Sequence, residues 1–212
     1  MTESVPVSRG ALSAYPLADI ELEDLGSHAH AGTTFLLDIC ADSFINIRGP
    51  GHNSAFARAI ARACINKLPA QANSYSLTPT RKLAWLSPDE WLLLAPAADT
   101  RSLVAELEKR LVKHHHAVND LSSGMSRFRI QGPHCNALVA KGCTIDLHPT
   151  VWHDLSAAQT LIAKSPVLML GVAPQCIDIV VRRSFAEYLW EWLLAAGREF
   201  ELQTGRLASL YE

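Results

Sequence analysis

The phrase Ile47-Arg48-Gly49-Pro50-Gly51-His52-Asn53 returns as Ile130-Gln131-Gly132-Pro133-His134-Cys135-Asn136. Each copy closes an alternating apolar segment and opens a helical one, so the chain is expected to contain the same strand-to-helix unit twice. From Gly49 to Gly132 the period is 83 residues. That is too long for a solenoid repeat and suits one β-α-β-β-α-β half-domain. The expected fold class is α+β: two duplicated ferredoxin-like halves with antiparallel sheets. Residues 35–122 would form the first half and residues 123–205 the second. An extended, partly disordered segment (1–34) would precede them, and a short tail (206–212) would follow.

Periodicity fills in the elements. Phe35 to Asp38 and Ser43 to Ile47 read as strands. After the Gly49-Pro50 break, Asn53 or Ser54 caps a helix with Phe56, Ala59, Ile60, Ala63 and Cys64 on one face and Arg58 and Arg62 opposite. Lys82 to Leu86 and Trp91 to Leu94 form a hairpin, and a helix runs from about Arg101 to Lys113 with Leu103, Val104, Leu107 and Leu111 inward. In the second half, Arg127 to Gln131 is a strand and a short helix reaches about Lys141. Thr160 to Ala163, Val167 to Leu170 and Ile177 to Val181 are further strands. A final helix carries Phe185, Tyr188, Leu189, Trp192, Leu193 and Ala196 as its apolar stripe and stops at Gly197.

Composition narrows the function classes. A formal charge of −2 over 212 residues gives no basic footprint for nucleic acid or an anionic membrane. No window approaches the roughly 20 apolar residues that a membrane-spanning helix needs, and Met1 to Pro6 does not read as a leader, so a soluble, cytoplasmic protein is expected. Five cysteines, an odd number set mostly in apolar patterns, suit reduced core thiols better than disulfides.

Three blocks carry a resemblance: Asn119 through Pro133 (Asn-Asp-Leu-Ser-Ser-Gly-Met-Ser-Arg-Phe-Arg-Ile-Gln-Gly-Pro), Ala140 through Pro149, and Arg183 through Trp190. Their order resembles the gamma subunits of heterotetrameric sarcosine oxidases, over about Leu36 to Ala196. Those subunits are similar in turn to the folate-binding aminomethyltransferases of the glycine cleavage system. The resemblance implies membership in a complex with alpha, beta and delta subunits. Such a complex oxidatively demethylates sarcosine or a related N-methyl amine and passes the methyl carbon to tetrahydrofolate. It also implies that FAD, FMN, NAD, tetrahydrofolate and zinc are held by the partner subunits, with no cofactor and no catalytic residue in this chain.

The alternative is a stand-alone folate-binding one-carbon transferase. In the aminomethyltransferases paired aspartates precede the first-half hairpin, and a Gly-Tyr-Thr-Gly-Glu signature sets a glutamate against the pterin. The corresponding stretches here, Ser76 to Lys82 and Ala163 to Leu170, contain no carboxylate. The pterin's N–H donors would be left without an acceptor. A ferredoxin-like RNA-binding module is a third reading, disfavoured by the near-neutral charge and by the missing aromatic signature on Arg127 to Gln131.

Other constellations weigh less. Asp38 and Asp120 precede the repeated strand at nearly equal distances, which suits either acid-base chemistry or, better, equivalent structural turns. His134, Cys135, Cys143, His148 and His153 have zinc-type ligands without zinc-type spacing. His114-His115-His116 cannot all face one side of a strand. Gly49-Pro50-Gly51-His52-Asn53 lacks the free N–H groups and the Gly-Lys-Ser/Thr of a phosphate loop, and Ser126 lies in a strand rather than a nucleophile elbow. On the last helix Trp190 and Leu194 fall outside the stripe, beside Glu187, Glu191 and Arg198. They are expected either to anchor a subunit interface or to be buried against the other half-domain.

Overall fold

The computed structural model describes residues 17, 22, 33–39 and 42–207. Its strands are β1 (Phe35–Ile39), β2 (Asp42–Arg48), β3 (Tyr75–Leu77), β4 (Lys82–Ser87), β5 (Glu90–Pro96), β6 (Ala117–Asp120), β7 (Met125–Gln131), β8 (Ala157–Ile162), β9 (Ser165–Ala173), β10 (Cys176–Arg182) and β11 (Gln203–Leu207). Four α-helices join them: α1 (Ser54–Cys64), α2 (Thr100–Leu111), α3 (Cys135–Ala140) and α4 (Arg183–Gly197).

One sheet runs β3-β4-β5-β2-β6 and the other β11-β1-β7-β10-β9-β8. Within the first, β2-α1-β4-β5-α2-β6 follows the ferredoxin-like path, with β6 and β5 both antiparallel to β2. The second repeats it through β7, α3, β9, β10 and α4.

Alternation along the strands makes the layers. Ile45 and Ile47 of β2 pack under α1 and α2, with Phe56, Ile60, Leu103 and Leu107. Phe128 and Ile130 of β7, with Ile177 and Ile179 of β10, pack under α3 and α4. The opposite faces meet each other, with Phe44, Tyr75, Leu92 and Leu94 against Leu168, Leu170 and Val180. The order is helix, sheet, sheet, helix, with both faces of each sheet covered. The sheets are also joined at their edges: the Tyr75 N–H donates to the Leu155 carbonyl (3.0 Å) and the Ala157 N–H to that of Asn73 (2.9 Å).

The repeated phrase is the same turn twice. Gly49 has φ +159 and is close to extended, whereas Gly132 has φ +121, where an L side chain is strained. A Cβ on Gly132 would lie 2.3 Å from the Thr33 carbonyl oxygen, so the N-terminal approach to β1 needs a glycine there. After the first turn the Asn53 Oδ1 accepts from the N–H groups of Ala55 (2.8 Å) and Phe56 (3.2 Å), capping α1. Asn53→Ala is expected to lower stability by about 1 kcal/mol, measurable as a drop in urea midpoint at unchanged slope.

The structure corrects three expectations. First, Phe35–Ile39 does not belong to the first half: β1 lies antiparallel to β7, in the second sheet. Symmetrically, β6 immediately precedes β7 in the chain yet closes the first sheet against β2. β6 stays with the first half as its boundary at residue 122 expects, whereas β1 completes the second half by a non-local pairing that a local reading assigns to the nearer neighbour. Second, Gln203–Leu207 is a strand, parallel to β1, so the tail assigned from residue 206 begins inside a sheet. Third, α4 buries Ala186, Leu189, Trp190, Leu193 and Gly197, while Phe185 and Tyr188 of the expected stripe are 36% and 39% exposed. The small residues explain the rotation. They let the helix approach closely, and Leu202 fills the space where a Gly197 Cβ would stand.

The expected segment 1–34 lies mostly outside the described residues, as do residues 208–212. Within it Leu17 is fully buried in the core beneath α3 and α4, with Leu22 packed against that core.

Candidate functional site: a buried charge cluster between the sheets

Because Phe128 and Ile130 face the helices, Arg127 and Arg129 of β7 are forced toward the opposite sheet, and the same alternation turns Asp178 of β10 and Asp42 of β2 inward. Lys82, at the start of β4, meets them from the facing sheet. Lys82 Nζ donates to Asp178 Oδ2 at 2.5 Å. Arg129 donates to the same carboxylate through Nε (2.6 Å) and a terminal nitrogen (3.1 Å). Arg127 lies 3.5 Å from Asp178 and grips Asp42 through Nε (2.5 Å) and a terminal nitrogen (2.9 Å). Arg127 and Asp178 are fully buried, and Lys82 is 4% exposed. Three cations thus face two carboxylates in an interior where an unpaired charge is costly.

The two carboxylates differ in their surroundings. Burial pushes the Asp42 carboxyl up, to about 6, against the pull of Arg127 and with help from the Asp178 charge. Burial acts on Asp178 in the same sense, but Lys82, Arg129 and Arg127 together outweigh it and hold that carboxyl well below the usual range. Between its unfolded value of 3.8 and about 6, Asp42 binds more protons folded than unfolded. Its contribution to stability therefore falls as pH rises through that window. The contribution of Asp178 has the opposite sign, present above about pH 4 and lost on further acidification. The stability of the native chain relative to Asp42→Asn, followed by urea unfolding, is expected to decline from pH 4 to pH 6.

The sequence-derived candidates lie elsewhere. Trp190 is 1% exposed and meets Phe128 edge-on, with ring centroids 5.3 Å apart. It is a core residue and is withdrawn as an interface anchor. Leu194 is half-buried and packs against the same core. The His/Cys set does not converge: Cys135 donates to the Ile130 carbonyl and Cys143 lies against Thr160 and Met169. His134 stacks on Phe200, His148 bonds Thr150 and His153 bonds the Asp154 carbonyl. Among the described residues no three His, Cys, Asp or Glu side chains are grouped to hold a metal. His116 turns to Glu108, away from a joint site with its neighbours. Asp38 accepts from Arg206 Nε (3.2 Å), and Asp120 accepts from the Ser122 N–H (2.9 Å).

Sequence reasoning missed the cluster, although a signal was present. Ile177-Asp178-Ile179 sets a charge inside an apolar strand, and Arg127-Phe128-Arg129-Ile130 alternates between charged and apolar residues. In a sheet covered on both faces such charges must find one another.

The fold and this interior define a duplicated ferredoxin-like α+β protein of the aminomethyltransferase type, with the space between its sheets occupied by apolar side chains and paired charges. Aminomethyltransferase T of the glycine cleavage system from Bartonella henselae shares that fold, with a TM-score of 0.61 at 20% identity over 82% of this chain and 48% of its own. A model of the sarcosine oxidase gamma subunit family matches residues 48–199, and the chain belongs to that family. Sarcosine oxidase subunit gamma of Corynebacterium sp. (strain P-1) is 34% identical over 180 residues, 84% of this chain and 87% of that protein. The Arthrobacter subunit gamma is 31% identical over 184 residues, 86% and 89% of the two chains. A chain of the heterotetrameric sarcosine oxidase from Corynebacterium sp. U-96, solved with pyrrole 2-carboxylate, superposes with a TM-score of 0.78 at 27% identity. It covers 88% of this chain and 95% of its own. Among the described residues no helix is long and apolar enough to cross a membrane.

Proposed function

We propose that this chain is a structural, non-catalytic gamma subunit of a cytoplasmic heterotetrameric complex that oxidatively demethylates sarcosine or a related N-methyl amine. Alpha, beta and delta subunits are its partners. FAD, FMN, NAD, zinc and the tetrahydrofolate that takes the methyl carbon are held in those partners. The observation that carries the reading is the near end-to-end match to a chain of a heterotetrameric sarcosine oxidase.

The interior supports the non-catalytic part. The stretch Ser76 to Lys82, where the folate enzymes carry their acids, ends here in a lysine whose ammonium lies on Asp178. The stretch Ala163 to Leu170 leads into β9, where Val167, Leu168, Met169 and Leu170 are buried. The Asp178 and Asp42 side chains are closed off in the interior, at most 1% exposed, so neither lies where a substrate could exchange protons with it.

The test is co-expression of the tagged chain with its neighbouring genes, followed by a visible spectrum and amine-dependent oxygen uptake. The expected product is a yellow complex that oxidises an N-methyl amine, while the chain alone does not retain tetrahydrofolate. A colourless single chain that retains tetrahydrofolate would overturn the proposal in favour of a stand-alone one-carbon transferase.

A further inference from the structure

The duplication makes a comparison inside one molecule possible. The repeat sets β2 against β7, with Ile45 matching Phe128 and Ile47 matching Ile130 across the 83-residue period. In β6, Asp120 pairs with Ile45 and Val118 with Ile47; in β1, Asp38 pairs with Phe128 and Leu36 with Ile130. Asp120 is therefore the counterpart of Asp38, and Val118 of Leu36.

The two strands differ in what lies beyond them. The outer edge of β1 is taken by β11, running parallel, with Arg206 opposite Asp38 and its Nε donating to the Asp38 carboxylate. Among the described residues, no strand pairs with the outer edge of β6. The Leu121 N–H donates to the Phe44 carbonyl, so hydrogen-bonded pairs alternate at Phe44/Leu121 and Asn46/Asn119. Val118 and Asp120 thus direct their N–H and C=O groups outward. At the Asp120 end of that edge lies an open groove of about 780 Å³ between Asp120 and the first turns of α2, lined also by Ala98, Arg101, Val104 and Ala105. Small side chains leave room for a backbone there. Asp120 is exposed and, among the described residues, accepts only from Ser122 and forms no ion pair, Arg101 of the same groove included.

We propose that an extended segment of a partner subunit adds to β6 as a parallel strand in this groove, carrying a single arginine or lysine opposite Asp120. It would reproduce in trans what β11 and Arg206 do in cis for β1. Main-chain bonds to Val118 and Asp120 supply the affinity and the charge pair fixes the register. Arg101 also lines the groove, which favours one cation at the Asp120 end over a polybasic segment. The inference rests on the assembly proposed above and names the chemistry of one of its contacts.

Residue-resolved hydrogen exchange on the co-expressed complex and on the chain alone tests it. On assembly the amides of Val118 and Asp120 are expected to slow by about tenfold or more, while that of Asn119, already bonded to β2, changes little. Asp120→Asn keeps the acceptor for Ser122 and removes the charge, and is expected to weaken the complex about two- to fivefold at low salt and hardly at all at high salt. An intact complex in which Val118 and Asp120 exchange as they do in the chain alone would overturn the strand while leaving the assembly standing. Protection already complete in the chain alone would mean that its own residues or a second copy cover the edge, and would equally overturn it. Failure of any complex to form would overturn both.

Discussion

Asp178→Ala is expected to destabilise the chain by about 3–5 kcal/mol, measured by urea unfolding at pH 7. The Asp178 carboxylate touches Lys82, Arg129 and Arg127, all of them largely buried, and among the described residues it is the carboxylate in direct contact with all three. Truncation removes the carboxylate that contacts Lys82 and Arg129, and Asp42 contacts Arg127 of the three. Asp178→Asn is expected to cost nearly as much, because the amide keeps the volume and loses the charge. The cations are the source of the cost, so Lys82→Met combined with Asp178→Asn should be less destabilising than the sum of the two single changes, as contacting pairs are. Strict additivity would mean that the cluster is more hydrated than the burial of Lys82 and Asp178 implies.

Trp190→Ala is expected to cost a similar amount, about 3–5 kcal/mol, by a different route. The indole is 1% exposed and packs on Phe128, under the face of α4 that also carries Leu189 and Leu193. Its loss opens a cavity in the larger helix-sheet core. Among the described residues the indole N–H has no hydrogen-bond acceptor, so Trp190→Phe removes volume but strands no polar partner and should recover much of the loss. Assembly with partner subunits is expected to survive Trp190→Phe. Selective dissociation by a variant of unchanged thermal stability would restore Trp190 as an interface residue.

The duplication was legible because a Gly-Pro turn after an alternating strand leaves a trace at the level of residues: Gly132 must be glycine where Thr33 passes, and Asn53 must cap α1. The helices and central strands followed from apolar period. The crossing of β1 to the second sheet did not, since the partner of Phe35–Ile39 is about 90 residues away and periodicity carries no information on pairing. The rotation of α4 was missed because its buried face includes Ala186 and Gly197, small residues that add little to an apolar stripe, Gly197 lying against Leu202. The charge cluster was partly readable in Ile177-Asp178-Ile179, yet its meaning appears only when two sheets cover one another and Lys82 arrives from the opposite layer. The family, by contrast, was carried by blocks of sequence that reflect several of these constraints together.

The most direct test of the central claim is native mass spectrometry of the tagged chain purified after co-expression with its neighbouring genes. The expected species is one assembly containing a single copy of this chain with three different polypeptides. A chain found alone, or only with copies of itself, would contradict it.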